Sequence, residues 1–273
     1  MGTYITEDKK KITSTRITSM KSEGKKIAML TAYDYSTARI LDAAGVDSIL
    51  IGDSASNVIA GNSTTLPITL DEMIFLARSV AKGVQRAFVA CDMPFGSYQA
   101  CPEDGVRSAI RMLKETGCDA VKIEGGAPYK ETIKRIIEAG VPVIGHLGLT
   151  PQSVNAFGGY VVRAKDKEEE NRLIDDAMML EEIGCCAIVV EKVPASVGKR
   201  AAETVKIPVI GIGAGPYVDG QVLVVNDMLG MSNDFHPKFL RQYADLQTII
   251  TDAVGNYVRD VKDNTFPSLD ESY

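Results

Sequence analysis

One short phrase recurs along this chain and restricts its fold more than any other feature. Ala44-Gly45-Val46-Asp47, Thr116-Gly117-Cys118-Asp119, Ala139-Gly140-Val141-Pro142 and Ile183-Gly184-Cys185-Cys186 each close a stretch of helical character and open a short apolar run. Glycine suits a left-handed helix C-cap, and a run apolar at every position suits a strand buried on both faces. Apolar runs at 27–32, 48–51, 87–91, 121–124, 141–144, 187–190, 207–210 and 222–225 read as strands. Helical segments at 34–44, 70–83, 103–116, 129–139 and 166–184 alternate with them, and Asp166 with Glu169 three residues on forms a capping box. Alternation of helix and doubly buried strand implies parallel pairing through crossover helices. About eight strands in 273 residues favour closure, so the predicted fold is a (β/α)8 TIM barrel of the α/β class, with 1–273 as a single domain.

The two ends depart from this rhythm. The polar start, 1–11, is expected to be mobile, and 12–20 to form a short N-terminal helix. A long C-terminal helix is predicted over 237–263, where Phe239, Leu240, Tyr243, Leu246, Ile250, Ala253 and Tyr257 recur at helical spacing. Such a stripe packs either on its own barrel or against another subunit.

Composition matters chiefly for what it excludes. Thirty Lys+Arg against thirty-six Asp+Glu leave a net charge of −6, with no basic stretch able to track a phosphate backbone, so no nucleic-acid partner is expected. No apolar run reaches membrane-spanning length and no secretory signal is present, which points to no membrane partner and a cytoplasmic location. Five cysteines without a CxxC spacing fit neither a disulfide framework nor a zinc site.

In a barrel of this kind, catalytic side chains collect where strands end at the C-terminal mouth. Those ends carry Asp53-Ser54, Asp92, Lys122 with Glu124, His146, Glu191 and the Gly213-Ala214-Gly215 turn. Lys122 and Glu124 lie two apart and so share one face of their strand. Carboxylates converging there repel one another unless a cation stands among them. Lys122 supplies one positive charge, and a divalent metal would supply two more. Oxygen ligands without cysteine suit Mg²⁺, with Asp53, Asp92 and Glu124 as the ligand set. Such a site suits a small acid whose adjacent carbonyl and carboxylate chelate the ion, and Glu191 remains as general base. Plainer roles stay open: a structural Lys122–Glu124 pair, capping by Asp53 and Asp92, and a loop hydrogen bond for His146.

Leu30-Thr31-Ala32-Tyr33-Asp34, Gly52-Asp53-Ser54, Asp92-Met93-Pro94-Phe95 and 121–126 closely resemble ketopantoate hydroxymethyltransferase. So do 145–153, ending in Leu149-Thr150-Pro151-Gln152-Ser153, and 211–215 followed by Asp219-Gly220-Gln221. The resemblance spans about 12–243. It implies a phosphoenolpyruvate mutase-like barrel that transfers a hydroxymethyl group from 5,10-methylenetetrahydrofolate to 3-methyl-2-oxobutanoate, giving 2-dehydropantoate for pantothenate synthesis. By the same resemblance Mg²⁺ is held by Asp53, Asp92 and Glu124, and Glu191 accepts the proton. The substrate-binding residues it implies are Asp53, Ser54, Asp92 and Lys122, the oxoacid being held through the metal and through Ser54 and Lys122. A cytoplasmic homo-oligomer is implied too, a decamer built as a pentamer of dimers. The chain departs from the family pattern at Arg163-Ala164, where glycine is expected, and at Pro216-Tyr217-Val218. The alternatives are a Mg-dependent C–C lyase of the phosphoenolpyruvate mutase/isocitrate lyase type, a metal-free aldolase using Lys122 as a Schiff base, and a noncatalytic ligand-binding barrel. No pattern in the sequence marks the folate contacts.

Overall fold

Strand parity organises the molecule, a computed structural model that describes residues 10–231 and 236–273. The strands are β1 (Ile27–Thr31), β2 (Ser48–Ile51), β3 (Phe88–Asp92), β4 (Ala120–Glu124), β5 (Val143–Gly148), β6 (Ala187–Glu191), β7 (Val209–Ile212) and β8 (Gly220–Leu223). They close in sequence order into a parallel barrel, with β8 returning to β1 through Ile27↔Gly220 and Met29↔Val222. Closure leaves no unpaired sheet edge.

The helices are α1 (Ser14–Ser22), α2 (Tyr35–Ala44), α3 (Ala55–Val58), α4 (Leu70–Gly83), α5 (Pro102–Thr116), α6 (Lys130–Glu138), α7 (Val154–Phe157), α8 (Lys167–Glu182), α9 (Ala195–Thr204), α10 (Val225–Met228) and α11 (Leu246–Lys262). Gly45 and Gly117 take the left-handed conformation at the ends of α2 and α5, with φ of 92° and 80°. A full capping box sits at the start of α4, where Thr69 and Glu72 satisfy each other's backbone N–H groups. The box expected at α8 is half formed. Asp166 accepts the Glu169 N–H at 2.8 Å, but the Glu169 carboxylate turns instead to the Ala164 N–H and to Arg163. Ala164 stands at φ 54°, the left-handed region where the resemblance had led one to expect glycine.

Several bounds differ from those predicted: β5 spans Val143–Gly148 rather than 141–144, and β7 spans Val209–Ile212 rather than 207–210. β8 runs from Gly220 rather than 222, because its register on β1 starts there, and a Cβ at Gly220 would stand 2.5 Å from the Ile27 carbonyl oxygen. The connection from β7 to β8, residues 213–219, contains no helix, so the alternation breaks at that point. α11 begins at Leu246, not 237. Asp245 caps it through the Thr248 N–H at 3.1 Å, while Tyr243 donates its N–H to the Met228 carbonyl at 2.8 Å and so belongs to a turn.

α1 closes the floor of the barrel. Its Ile17 and Met20 join Ile27, Met29, Leu50, Phe88, Ala90, Ala120, Ile144, Ala187, Val189, Ile210 and Val222 in one buried cluster. Lys21 ties the same helix down, its ammonium reaching the carbonyls of Ala202, Val205 and Ile207 at 2.6, 2.8 and 3.0 Å and the Asp219 carboxylate at 2.8 Å. Of the stretch expected to be mobile, 1–9 lie outside the described residues. Lys11, by contrast, is held by the Ala87 carbonyl and by Asp119, each at 2.7 Å. Contacts divide the chain into two compact units, Met1–Leu223 with the whole barrel and Val224–Tyr273. Among the described residues no helix is long and apolar enough to cross a membrane.

Candidate active site

The apolar floor and the charged mouth are made by the same strand faces. Phe88 and Ala90 of β3 lead by steps of two to Asp92, and Ala120 of β4 leads to Lys122 and Glu124. Ile144 of β5 leads to His146, and Ala187 and Val189 of β6 lead to Glu191. Side chains two apart point the same way, so each of these charged groups faces the barrel interior. His146, expected beyond a strand end, lies within β5 and pairs in register with Glu124.

The charged groups meet closely. The Lys122 ammonium stands 2.9 Å from Asp92 Oδ1, 3.7 Å from Glu124 Oε1 and 3.1 Å from His146 Nδ1. His146 lies 3.3 Å from Glu124 Oε1 on one side and 3.3 Å from Glu191 Oε2 on the other, both outside hydrogen-bond geometry. Asp53, just past β2, donates its N–H to Asp92 Oδ2 at 2.9 Å. Ser54 beside it shares a 2.8 Å hydrogen bond with the Tyr33 hydroxyl. Asp53, Asp92, Lys122, Glu124 and His146 are buried, whereas Glu191 keeps 17% of its side chain exposed and is the carboxylate open to an incoming molecule.

Charge balance sets the proton affinities. Burial lowers the affinity of Lys122, but Asp92, Glu124 and Asp53 outweigh it and hold the amine above its ordinary value. It stays protonated at neutral pH, which disfavours a Schiff-base role. Burial and Lys122 push His146 down, while Glu124 and Glu191 push it up, and the carboxylates prevail at about 9. Burial raises Glu124, yet His146 and Lys122 together bring it below the usual range. Burial raises Asp92 in spite of Lys122. Asp53 is pushed up furthest of the three carboxylates, by burial and then by Glu124 and Asp92. Lys122 and the Gln152 amide offset this only in part.

That imbalance is what a hard cation relieves. Among the described residues no three His, Cys, Asp or Glu side chains are already gathered as a metal cluster. The donors nonetheless fit Mg²⁺ in chemistry. Asp92 Oδ1 and Glu124 Oε1 are buried and take no hydrogen bond, their charge being met by Lys122 at 2.9 and 3.7 Å and by His146 beside Glu124. All three acids offer the hard oxygens such an ion takes. Four carboxylates against two basic groups leave room for two further positive charges.

Two further residues, Gln152 and Tyr98, steady these acids. Gln152 donates its backbone N–H to Glu124 Oε2 at 2.9 Å and its side-chain amide to Asp53 Oδ2 at 2.9 Å. Tyr98 presents its hydroxyl to Gln152 Oε1 at 2.9 Å. Gln152 has one signal in sequence, a polar residue following Pro151 in the loop after a strand, which is too common to single out, and Tyr98 has none. Gly125 and Gly126, which follow β4, leave no space for a side chain. A Cβ at Gly126 would meet the Asp176 carboxylate at 2.1 Å, and one at Gly125 the Tyr129 ring at 2.7 Å.

The sequence model of the ketopantoate hydroxymethyltransferase family matches residues 11–269. The chain belongs to that family. Curated ketopantoate hydroxymethyltransferases, named 3-methyl-2-oxobutanoate hydroxymethyltransferase, are its near relatives. The one from Bacteroides thetaiotaomicron is 59% identical over 273 residues, all of both chains. That from Christiangramia forsetii is 60% identical over 264 residues, covering 97% of each. Among solved structures, a phosphonopyruvate hydrolase in complex with oxalate and Mg²⁺ superposes with a TM-score of 0.61 at 12% identity, covering 95% of this chain and 93% of that one. A 2,3-dimethylmalate lyase of the phosphoenolpyruvate mutase/isocitrate lyase superfamily gives 0.58 at 14% identity, covering 95% and 90%. At such identities the likeness establishes the barrel, and the ketopantoate hydroxymethyltransferase family is established by the sequence relatives.

Proposed function

We propose that this chain transfers a hydroxymethyl group from 5,10-methylenetetrahydrofolate to 3-methyl-2-oxobutanoate, giving 2-dehydropantoate, as a Mg-dependent cytoplasmic enzyme. Family membership supports the reaction, and the observation that carries the site is the buried Asp53 beside Asp92 and Glu124, the latter two each with one oxygen that faces Lys122 but takes no hydrogen bond. Asp53, Asp92 and Glu124 would hold Mg²⁺, directly or through water. Bound there, the ion supplies Lewis-acid polarisation to a chelating 2-oxoacid and acidifies its C3.

The chain's own groups do the rest. Lys122, kept protonated among carboxylates, faces the oxygen on which enolate charge develops. Ser54, positioned by Tyr33, donates to the oxoacid carboxylate. Glu191, exposed at the mouth, takes the C3 proton, and His146 at 3.3 Å steadies its charge. Substrate contacts therefore fall to Asp53 and Asp92 through the ion and to Ser54 and Lys122 directly. We also propose that 1–273 acts as one functional domain within a homo-oligomer.

The test is exchange at C3 of 3-methyl-2-oxobutanoate in D₂O, followed by product formation once the folate is added. Mg²⁺-dependent exchange without folate and 2-dehydropantoate with it are expected. Neither exchange nor product with both present would overturn the reading. A substrate panel including 2-alkylmalates separates it from the lyase alternative, which rests on fold likeness at 12–14% identity.

A further inference from the structure

The side-chain amide of Gln152 uses all four of its hydrogen-bonding positions. Its Nε2 donates to Asp53 Oδ2 and to the Met93 carbonyl, both at 2.9 Å. Its Oε1 accepts from the Tyr98 hydroxyl at 2.9 Å and from Gln99 Nε2 at 3.0 Å. The amide cannot be turned over. Reversed, its oxygen would face the Asp53 carboxylate and the Met93 carbonyl, and its NH₂ would face that of Gln99. Gln152 is buried, as is Tyr98, whose hydroxyl also spans the Glu124 carbonyl and N–H at 3.0 and 3.2 Å.

The three acids share a pattern. One oxygen of each is held by an N–H donor: Asp53 Oδ2 by the Gln152 side chain, Asp92 Oδ2 by the Asp53 backbone and Glu124 Oε2 by the Gln152 backbone. The second oxygens of Asp92 and Glu124 take no hydrogen bond and face the Lys122 ammonium at 2.9 and 3.7 Å. Two of the three anchors come from one residue in the loop after β5. A carboxylate with one oxygen pinned has its rotation fixed, which presents the other to a ligand at little cost in conformational entropy.

We infer that Gln152 is a positioning residue that sets the metal affinity of the site, by orienting Asp53 with its side chain and Glu124 with its backbone, and that Tyr98 supports it through the amide oxygen. The inference rests on the reading of Asp53, Asp92 and Glu124 as Mg²⁺ ligands and adds the groups that prepare them.

The experiment titrates the full-length protein with Mn²⁺, a paramagnetic stand-in for Mg²⁺, followed by electron paramagnetic resonance. Mg²⁺ activation and thermal unfolding are measured in parallel. Gln152→Met removes the side-chain anchor but keeps the backbone one, and should weaken Mn²⁺ binding by about 10–100-fold, the usual cost of losing a group that orients a metal ligand. The Mg²⁺ concentration for half-maximal activity should rise with it, while kcat at saturating Mg²⁺ stays within a few-fold of the parent. Tyr98→Phe, the milder change, should move both constants in the same direction by a smaller factor, and it carries the test if Gln152→Met does not fold. Parent-like Mn²⁺ affinity in the variants, even with lowered thermal stability, would mean a purely structural role and overturn the inference. No Mn²⁺ binding by the parent protein would overturn the metal reading, and this inference with it.

Discussion

Glu191 and Glu124 are both acids at the same barrel mouth, yet their surroundings assign them different work. Glu124 is buried against Lys122 and His146, whereas Glu191 keeps an exposed edge. Replacing Glu191 by Gln should therefore slow C3 exchange by about 10²–10⁴-fold, the usual contribution of a positioned base, with little change in oxoacid KM. Exchange rates followed by proton NMR check this, and a raised KM at unchanged rate would reassign Glu191 to binding. Removal of divalent ions with EDTA should abolish exchange, and added Mg²⁺ should restore it; undiminished activity after rigorous removal would eliminate the metal role. The acids at strand ends were legible in the sequence because inward parity is a local property. Gln152 was not: its side chain meets Asp53 across 99 residues of chain and Tyr98 across 54, and nothing in the loop's composition reports such meetings.

Among the secondary-structure elements, the caps and the floor helix carry stability rather than catalysis. Thr69 is exposed, and Thr69→Ala removes its hydroxyl from the Glu72 N–H and should cost about 1 kcal/mol in urea denaturation. The backbone N–H and then the hydroxyl of Thr69 hold the Glu72 carboxyl below its usual 4.5. A depressed folded value means that this stabilisation is present above the ordinary glutamate range and disappears as pH falls through the folded value. The stability gap between the parent and Glu72→Gln should accordingly be full at neutral pH and close in acid. A gap that widened on acidification would contradict the cap assignment. Lys21 binds three carbonyls and Asp219 with little exposure, so Lys21→Met should lower stability by roughly 1.5–3 kcal/mol while leaving kcat unchanged. The recurring glycine phrase located α2, α5, α6 and α8 because a left-handed glycine at a helix end is written locally. It could not foresee that Glu169 would leave its own helix start for Arg163, since that choice depends on a loop folding back.

For the molecule as a whole, the surface of α11 bears on association. α11 has no buried residue, and Ile250, Val254, Tyr257, Val258 and Val261 form an apolar stripe along it, with Val254 54% exposed. An apolar stripe of this extent commonly marks a contact surface. Together with the homo-oligomer proposed for the chain, it leads us to expect a single large species in sedimentation velocity at micromolar concentration. The double change Val254→Glu and Val258→Glu should shift it toward smaller species. A parent protein that sediments as a monomer would remove the proposal.

The sequence by itself determined the closed parallel barrel, because its helix caps and doubly buried strands are written within a few residues of where they act. It also determined which acids reach the mouth, because a strand's period of two is independent of its neighbours. Tertiary structure alone decided that His146 stands between Glu124 and Glu191. It decided likewise that Gln152 and Tyr98 hold the acids in place. Each of those outcomes depends on register and on distant partners, which exist only once the barrel has closed.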